Sequence, residues 1–150
     1  MENKITPKLE YGSTWKLLGL GIITLGVYFA HYIKKQTAVI NEHCEENERI
    51  SDSFVTFVIV ISYVSLGFFF AYLFVDETHP IAAMDRLVDT INAINAINNV
   101  AFIVWGFKAR NRMNVILSAK KKENVWFHGL WTFLFTPLYF NSKVNKLNGR

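Results

Sequence analysis

The feature that most constrains this chain is the stretch from Phe54 to Val75, 22 consecutive residues without an Asp, Glu, Lys or Arg. As a helix it would run roughly 33 Å, the thickness of a bilayer's hydrocarbon core. Ser51, Asp52 and Ser53 stand ahead of it as N-cap candidates, and Asp76 with Glu77 closes it. A soluble protein this small seldom buries so long an uncharged helix. A second stretch, Ile91 to Phe107, ends at Lys108, Arg110 and Arg112. Thr78-His79-Pro80 puts a capping residue and then proline where its helix would begin. Its first turns, with Asp85, Arg86 and Asp89, would then stand in the headgroup layer. The chain reads as an all-α integral membrane protein, one membrane domain over residues 1–150, with two firm transmembrane helices at about 54–75 and 88–107.

Composition narrows the function classes. At 51% hydrophobic and 19% charged, the chain is no disordered tail. A formal charge of +4 is too small an excess to argue for nucleic acid. The single cysteine, Cys44, excludes an intrachain disulfide and an all-Cys metal site.

Two weaker apolar segments flank the pair, at about 15–33 and 125–140. The first carries Gly19, Gly21 and Gly26, and the second His128 and Pro137. The first has no small-x-small cleavage site and runs into Lys34-Lys35, unlike a cleaved signal peptide. The segments resemble each other. Shifted by 111 positions, Trp15 falls on Trp126, Val27-Tyr28-Phe29 on Leu138-Tyr139-Phe140, Ile33 on Val144 and Lys35 on Lys146. Gly26 falls on Pro137, so each copy sets a helix breaker just before an aromatic pair.

Positive charge discriminates between two topologies, because short cytoplasmic loops carry the Lys and Arg excess. If all four segments span, the two sides hold seven and nine basic residues, almost no bias. If only the central helices cross and the flanking segments re-enter, Arg86 alone is outside and the other 15 are cytoplasmic. The second arrangement is favoured and the first stays open. Non-helical backbone at membrane depth must be covered by protein, so re-entrant segments imply a homo-oligomer.

Ile23-Thr24-Leu25-Gly26-Val27-Tyr28, closing an apolar run ahead of Lys34-Lys35, is similar to the Thr-Leu-Gly-Ile-Tyr motif of a family of small bacterial inner-membrane proteins. That family is catalogued as a domain of unknown function. The run from Pro137 to Leu147, with aromatics followed by Asn145-Lys146-Leu147, resembles the ending such proteins often carry. This chain departs at Val27, where isoleucine is usual, and at Phe29-Ala30-His31, where Gly or Trp is often seen. Thr24, Leu25, Gly26 and Tyr28 are the motif residues here. The resemblance implies a multi-pass protein of the bacterial inner membrane and no established reaction.

The most informative polar pattern lies on the third apolar segment. At 100° per residue, Asp85, Asp89, Asn92, Ala96 and Asn99 fall within about 80° of one another, with Asn95 at the edge. A polar stripe in an apolar helix should face protein or water. It could line a path for an ion or polar solute, with the Asp pair as an acidic mouth. The commoner role is interhelical hydrogen bonding, worth about 0.6 to 2 kcal/mol each, and Asn98, off the stripe, suits that role. On the second segment Tyr63, Gly67 and Ala71 recur at spacings of four, a helix-packing face.

Arg110, Arg112, Lys120, Lys121 and Lys122 follow the third segment. They read as contacts to anionic lipid headgroups, with an acidic cytoplasmic protein as the other partner. Met113, Val115, Ile116 and Leu117 interleave with them, the pattern of an amphipathic interfacial helix. His43-Cys44-Glu45-Glu46 has ligand types without ligand spacing, and the neighbouring carboxylates should raise the thiol pKa. No phosphate loop, nucleophile elbow or His-Glu-x-x-His occurs, so neither an enzyme, a cofactor nor a metal is expected. The sequence points to a non-enzymatic inner-membrane module that oligomerises and acts through protein or lipid partners. The alternative is a small channel or transporter subunit lined by the polar face, and an immunity or exclusion factor ranks below both.

Overall fold

The computed structural model describes residues 5–9, 12–75, 81–121 and 123–149. Six α-helices follow in order: α1 Thr14–Ile23, α2 Val27–Asn41, α3 Asp52–Leu73, α4 Ile81–Ile116, α5 Gly129–Phe135 and α6 Leu138–Leu147. The cap expected at Thr78 to Pro80, the Asp76-Glu77 pair and Lys122 lie outside the described residues.

Two helices are long and apolar enough to cross a membrane, by length and composition. α3 has 22 residues and begins at the N-cap Ser51, with Asp52 in its first turn. α4 has 36 residues, about 54 Å at 1.5 Å per residue. It does not stop at Lys108. Arg110 and Arg112 continue the helix, because Ala109, Met113 and Asn114 are buried on its inner face. That replaces a separate interfacial helix with a continuation of α4 to Ile116.

The face that α3 buries is Val55, Val58, Ser62 and Ser65, spaced for one side of a helix. It packs on α4 and α2. Within one chain this is not the face predicted for packing: Tyr63, Gly67 and Ala71 are all exposed, and a Cβ added to Gly67 would meet nothing within 4 Å. Two serines take the place of the small-residue pair because they can pair with amides on α4, whereas glycine and alanine offer nothing to the Asn side chains. Tyr63 does reach α2, its hydroxyl 3.0 Å from His31 Nε2.

The flanking segments are two helix–break–helix hairpins, α1–α2 and α5–α6. The ends of the first meet, with Lys8 Nζ 3.8 Å from Glu42 Oε2. In the second, Lys143 Nζ donates to Asn124 O, and His128 N donates to Tyr139 Oη at 2.9 Å. The hairpins are also joined to each other. Asn148 Nδ2 donates to Thr6 O at 3.0 Å, and Asn141 Nδ2 to Gly12 O at 2.9 Å. The start of α3 and the end of α4 lie at the same end, where Arg112 Nε donates to Glu48 O. The 111-residue shift aligns the two breaks and part of the buried pattern. Gly26 and Pro137 are the N-caps of α2 and α6, and Gly21/Thr132, Ala30/Asn141 and Ile33/Val144 are buried at matching positions.

The core sits where both hairpins wrap the second half of α4. Trp105 is wholly buried, donates its indole N–H to Thr37 Oγ1 at 2.9 Å, and lies edge-on to Tyr32 and Phe140. Phe127 lies tilted against Phe140, with ring centroids 5.4 Å apart.

Candidate functional site

The tip of the first hairpin explains why Thr24-Leu25-Gly26-Val27-Tyr28 has this order. α1 ends in a Schellman turn: Gly26 N donates to Gly21 O at 2.8 Å and Leu25 N to Ile22 O at 3.1 Å. Leu25 and Gly26 both sit at positive φ, 49° and 93°. Glycine at the second position spares one of two left-handed residues its steric cost. Thr24 Oγ1 then joins the two helices. It donates to Leu20 O at 2.7 Å and accepts from Tyr28 N at 2.9 Å. With Val27 N on Thr24 O and Ala30 N on Gly26 O, most of the amides at the break find partners within the hairpin.

The second tip uses a related device. Thr132 Oγ1 donates to His128 O at 2.8 Å, Thr136 Oγ1 donates to Thr132 O, and the Thr136–Pro137 peptide is cis. This tip rests on α4 at Gly106, where an added Cβ would lie 2.5 Å from Thr136 Cγ2. A glycine is required there by close approach, and the sequence signals it only as an isolated Gly in an apolar helix.

Between the two tips lies a cavity of about 420 Å³. Leu25 and Gly26 of the first tip line it, with Thr136 of the second and Asn95, Asn98, Asn99 and Phe102 of α4. Every lining side chain is uncharged. The expected polar stripe is thus divided. Asn95 and Asn99 reach the cavity, whereas Asp85, Asp89 and Asn92 lie exposed on α4 outside it. Asn98, off the stripe, is the buried amide at 4% exposure. Ser62 Oγ donates to Asn98 Oδ1 at 3.0 Å, and Ser65 Oγ donates to Asn95 Oδ1. These two bonds fix the antiparallel register of α3 on α4. Among the described residues Asn99 makes no side-chain hydrogen bond, which leaves its amide to the cavity. The site can hold a neutral polar group, to which amides offer both donors and acceptors; it carries no acid, base or nucleophile. No group of three His, Cys, Asp or Glu suited to a metal occurs among the described residues.

The basic residues fall into two sets. Arg110 donates to Phe127 O at 2.9 Å and lies 5.5 Å from the Trp126 ring. Arg112 bonds the carbonyls of Glu48 and Lys108. Both guanidinium groups thus help hold the loops before α3 and α5 against α4, with donors of each left over. Lys120 and Lys121 are exposed. Two asparagines missed by sequence reasoning do similar work. Asn41 exchanges a pair of 2.9 Å bonds with the backbone of Ile50. Asn114 does the same with Phe127, at 2.8 and 3.2 Å. Nothing but fold context distinguishes them from ordinary loop amides.

His43 turns back on its own helix, Nδ1 lying 2.9 Å from Val39 O. Burial pushes the Cys44 thiol above its ordinary pKa; Glu48 pushes the same way, against Arg112 and Arg49. The direction matches the sequence expectation, but burial is the leading cause. A low-pKa nucleophile is absent from this loop.

A family model described as Domain of unknown function (DUF4234) matches residues 12–115. The match takes in the first hairpin and both long helices. No curated protein matches the chain, and no solved structure does.

Proposed function

The chain belongs to the DUF4234 family, and on that premise we propose that it is a non-enzymatic integral protein of the bacterial inner membrane. In this reading α3 and α4 cross the bilayer, and both hairpins enter from the basic side and turn back within it. Residues 1–150 form one membrane domain. The observation that carries the reading is the meeting of the hairpin ends, with Lys8 against Glu42 and Asn148 against Thr6. Chain ends that meet cannot lie on opposite faces of a bilayer. With both hairpins on one side, 15 of the 16 basic residues are cytoplasmic, the asymmetry of the positive-inside rule. Phe74 and Trp15, 84% and 81% exposed, are supplied with an apolar environment by lipid. The bonds that Thr24 and Gly26 make at the tip reduce the unpaired backbone that a turn at membrane depth would leave.

The module acts through partners. Exposed Lys120 and Lys121 present charge to anionic headgroups or to an acidic cytoplasmic protein. Self-association is assigned to the exposed face of α3, where Gly67 and Ala71 line a shallow apolar groove with Val64 and Phe68. Alkaline carbonate extraction of membranes tests the reading: the chain should stay in the pellet, and release into the supernatant would overturn it.

The cavity between the tips favours a second reading, a small channel or transporter subunit. Its residues would be Asn95, Asn98 and Asn99. In liposomes it requires solute flux that Asn99→Leu abolishes with the fold intact, whereas the first reading expects no flux from either protein.

A further inference from the structure

A second cleft separates α1 from α6 and measures about 880 Å³, within the range of roughly 300–1,000 Å³ usual for small-molecule sites. The two helices run antiparallel here, in a register set by Asn141 Nδ2 on Thr14 Oγ1 at 3.0 Å and by Asn145 Nδ2 on Gly12 O at 2.9 Å. That register sorts the lining by chemistry. Trp15, Leu18, Phe135 and Leu138 form one part of the wall. Ser13, Thr14, Ser142, Asn145 and Lys146 form the other. On α1 the polar residues come first and the apolar ones lie deeper. On α6 the order is reversed along the chain, Leu138 at the tip and Lys146 at the mouth. Both walls therefore pass from polar at the hairpin ends to apolar towards the tips.

Among the described residues that line the cleft, Lys146 is charged and none is Asp or Glu. Lys143, one turn from the rim, has its pKa lowered first by burial and then by the ammonium of Lys146. Two crowded cations gain from a nearby anion.

We propose that this cleft binds an anionic phospholipid, its phosphate at the Lys146 rim and an acyl chain against Leu18, Phe135 and Leu138. The inference rests on the membrane reading, since the gradient from polar mouth to apolar depth matches a lipid only if the hairpins enter a bilayer. Ser142 supplies a hydroxyl donor to the phosphate, and the side-chain oxygen of Asn145, whose amide nitrogen is engaged by Gly12, faces the glycerol region. The site is separate from the exposed Lys120 and Lys121.

Native mass spectrometry of the full chain in a non-ionic detergent tests it, with phosphatidylglycerol, phosphatidylcholine and inorganic phosphate as the probes. Phosphatidylglycerol should bind about tenfold tighter than phosphatidylcholine. Lys146→Glu should erase that preference, Leu18→Trp should weaken both lipids by filling the apolar part, and Lys121→Glu should leave the preference intact. Equal affinity for the two lipids, or a preference that survives Lys146→Glu, would overturn the site. Displacement of the lipid by millimolar inorganic phosphate would make it a free-anion site and overturn the lipid assignment. Carbonate extraction of the membranes from which the chain is purified separates the two claims. A chain that leaves the membrane fails the membrane reading itself, whereas one that stays but shows no lipid preference fails this site alone.

Discussion

Thr24 is the residue on which the first hairpin turns, and replacing it with valine isolates its hydroxyl. The shape is kept, while two hydrogen bonds go: the donation to Leu20 O and the acceptance from Tyr28 N. The first loss is mild, because Leu20 O still accepts from Thr24 N at 3.0 Å. The second leaves the Tyr28 N–H without its partner at a part-buried position. An orphaned donor of that kind costs roughly 1–3 kcal/mol, so Thr24→Val should destabilise by about 2 kcal/mol. Thr24→Ser keeps the hydroxyl and loses one methyl, worth at most about 0.8 kcal/mol. Equilibrium unfolding in mixed micelles with increasing denaturing detergent, followed by tryptophan fluorescence, reads both. The order expected is wild type, then Ser, then Val well below. A valine variant as stable as wild type, or a serine variant as damaged as valine, would refute the bridging role.

Three further outcomes follow from the geometry. Gly106→Ala drives a methyl to 2.5 Å from Thr136 and should cost about 1–3 kcal/mol by overpacking, read in the same micelles; Gly67→Ala, whose added Cβ meets nothing within 4 Å in the single chain, should leave the monomer's fold up to about 1 kcal/mol more stable by helix propensity while weakening self-association on that face. Asn98→Leu removes the Ser62 bond between α3 and α4, but Ser62 Oγ keeps its 2.8 Å bond to Val58 O, so the loss should stay near 0.6 kcal/mol and below about 2. Cys44, with its pKa raised by burial, holds less thiolate near neutral pH than an ordinary thiol; iodoacetamide should modify it more slowly in the folded chain than after denaturation, with the folded rate still rising beyond the pH at which a free thiol levels off.

Legibility in the sequence follows the range of the interaction. The helix of α3 is written in its uncharged run, and the two breaks in Gly26 and Pro137, because those signals are local. The tip motif is local as well, since Thr24 reaches only Leu20 and Tyr28. What the residues do not disclose is pairing between distant elements. Gly67 and Ala71 look like a packing face, yet the buried face holds Ser62 and Ser65. Their role emerges only when α4 brings Asn98 and Asn95 opposite them. Arg110 and Arg112 read as headgroup contacts, and their bonds to the carbonyls of Phe127 and Glu48 become visible only when other loops arrive. The polar cavity mixes both kinds: its Asn residues are visible as a polar pattern, but which of them meet the hairpin tips depends on how far the tips reach along α4.

Side-specific thiol labelling tests the central claim most directly, that both ends of the first hairpin share one face of the membrane. In a Cys44→Ser background, single cysteines are placed at Lys8, Glu46 and Asp85, all exposed positions, and intact cells are treated with a membrane-impermeant maleimide. Lys8→Cys and Glu46→Cys should react only after the inner membrane is opened, while Asp85→Cys reacts in intact cells. Labelling of Lys8→Cys and Glu46→Cys from opposite sides would mean that the segment crosses, and would contradict the account.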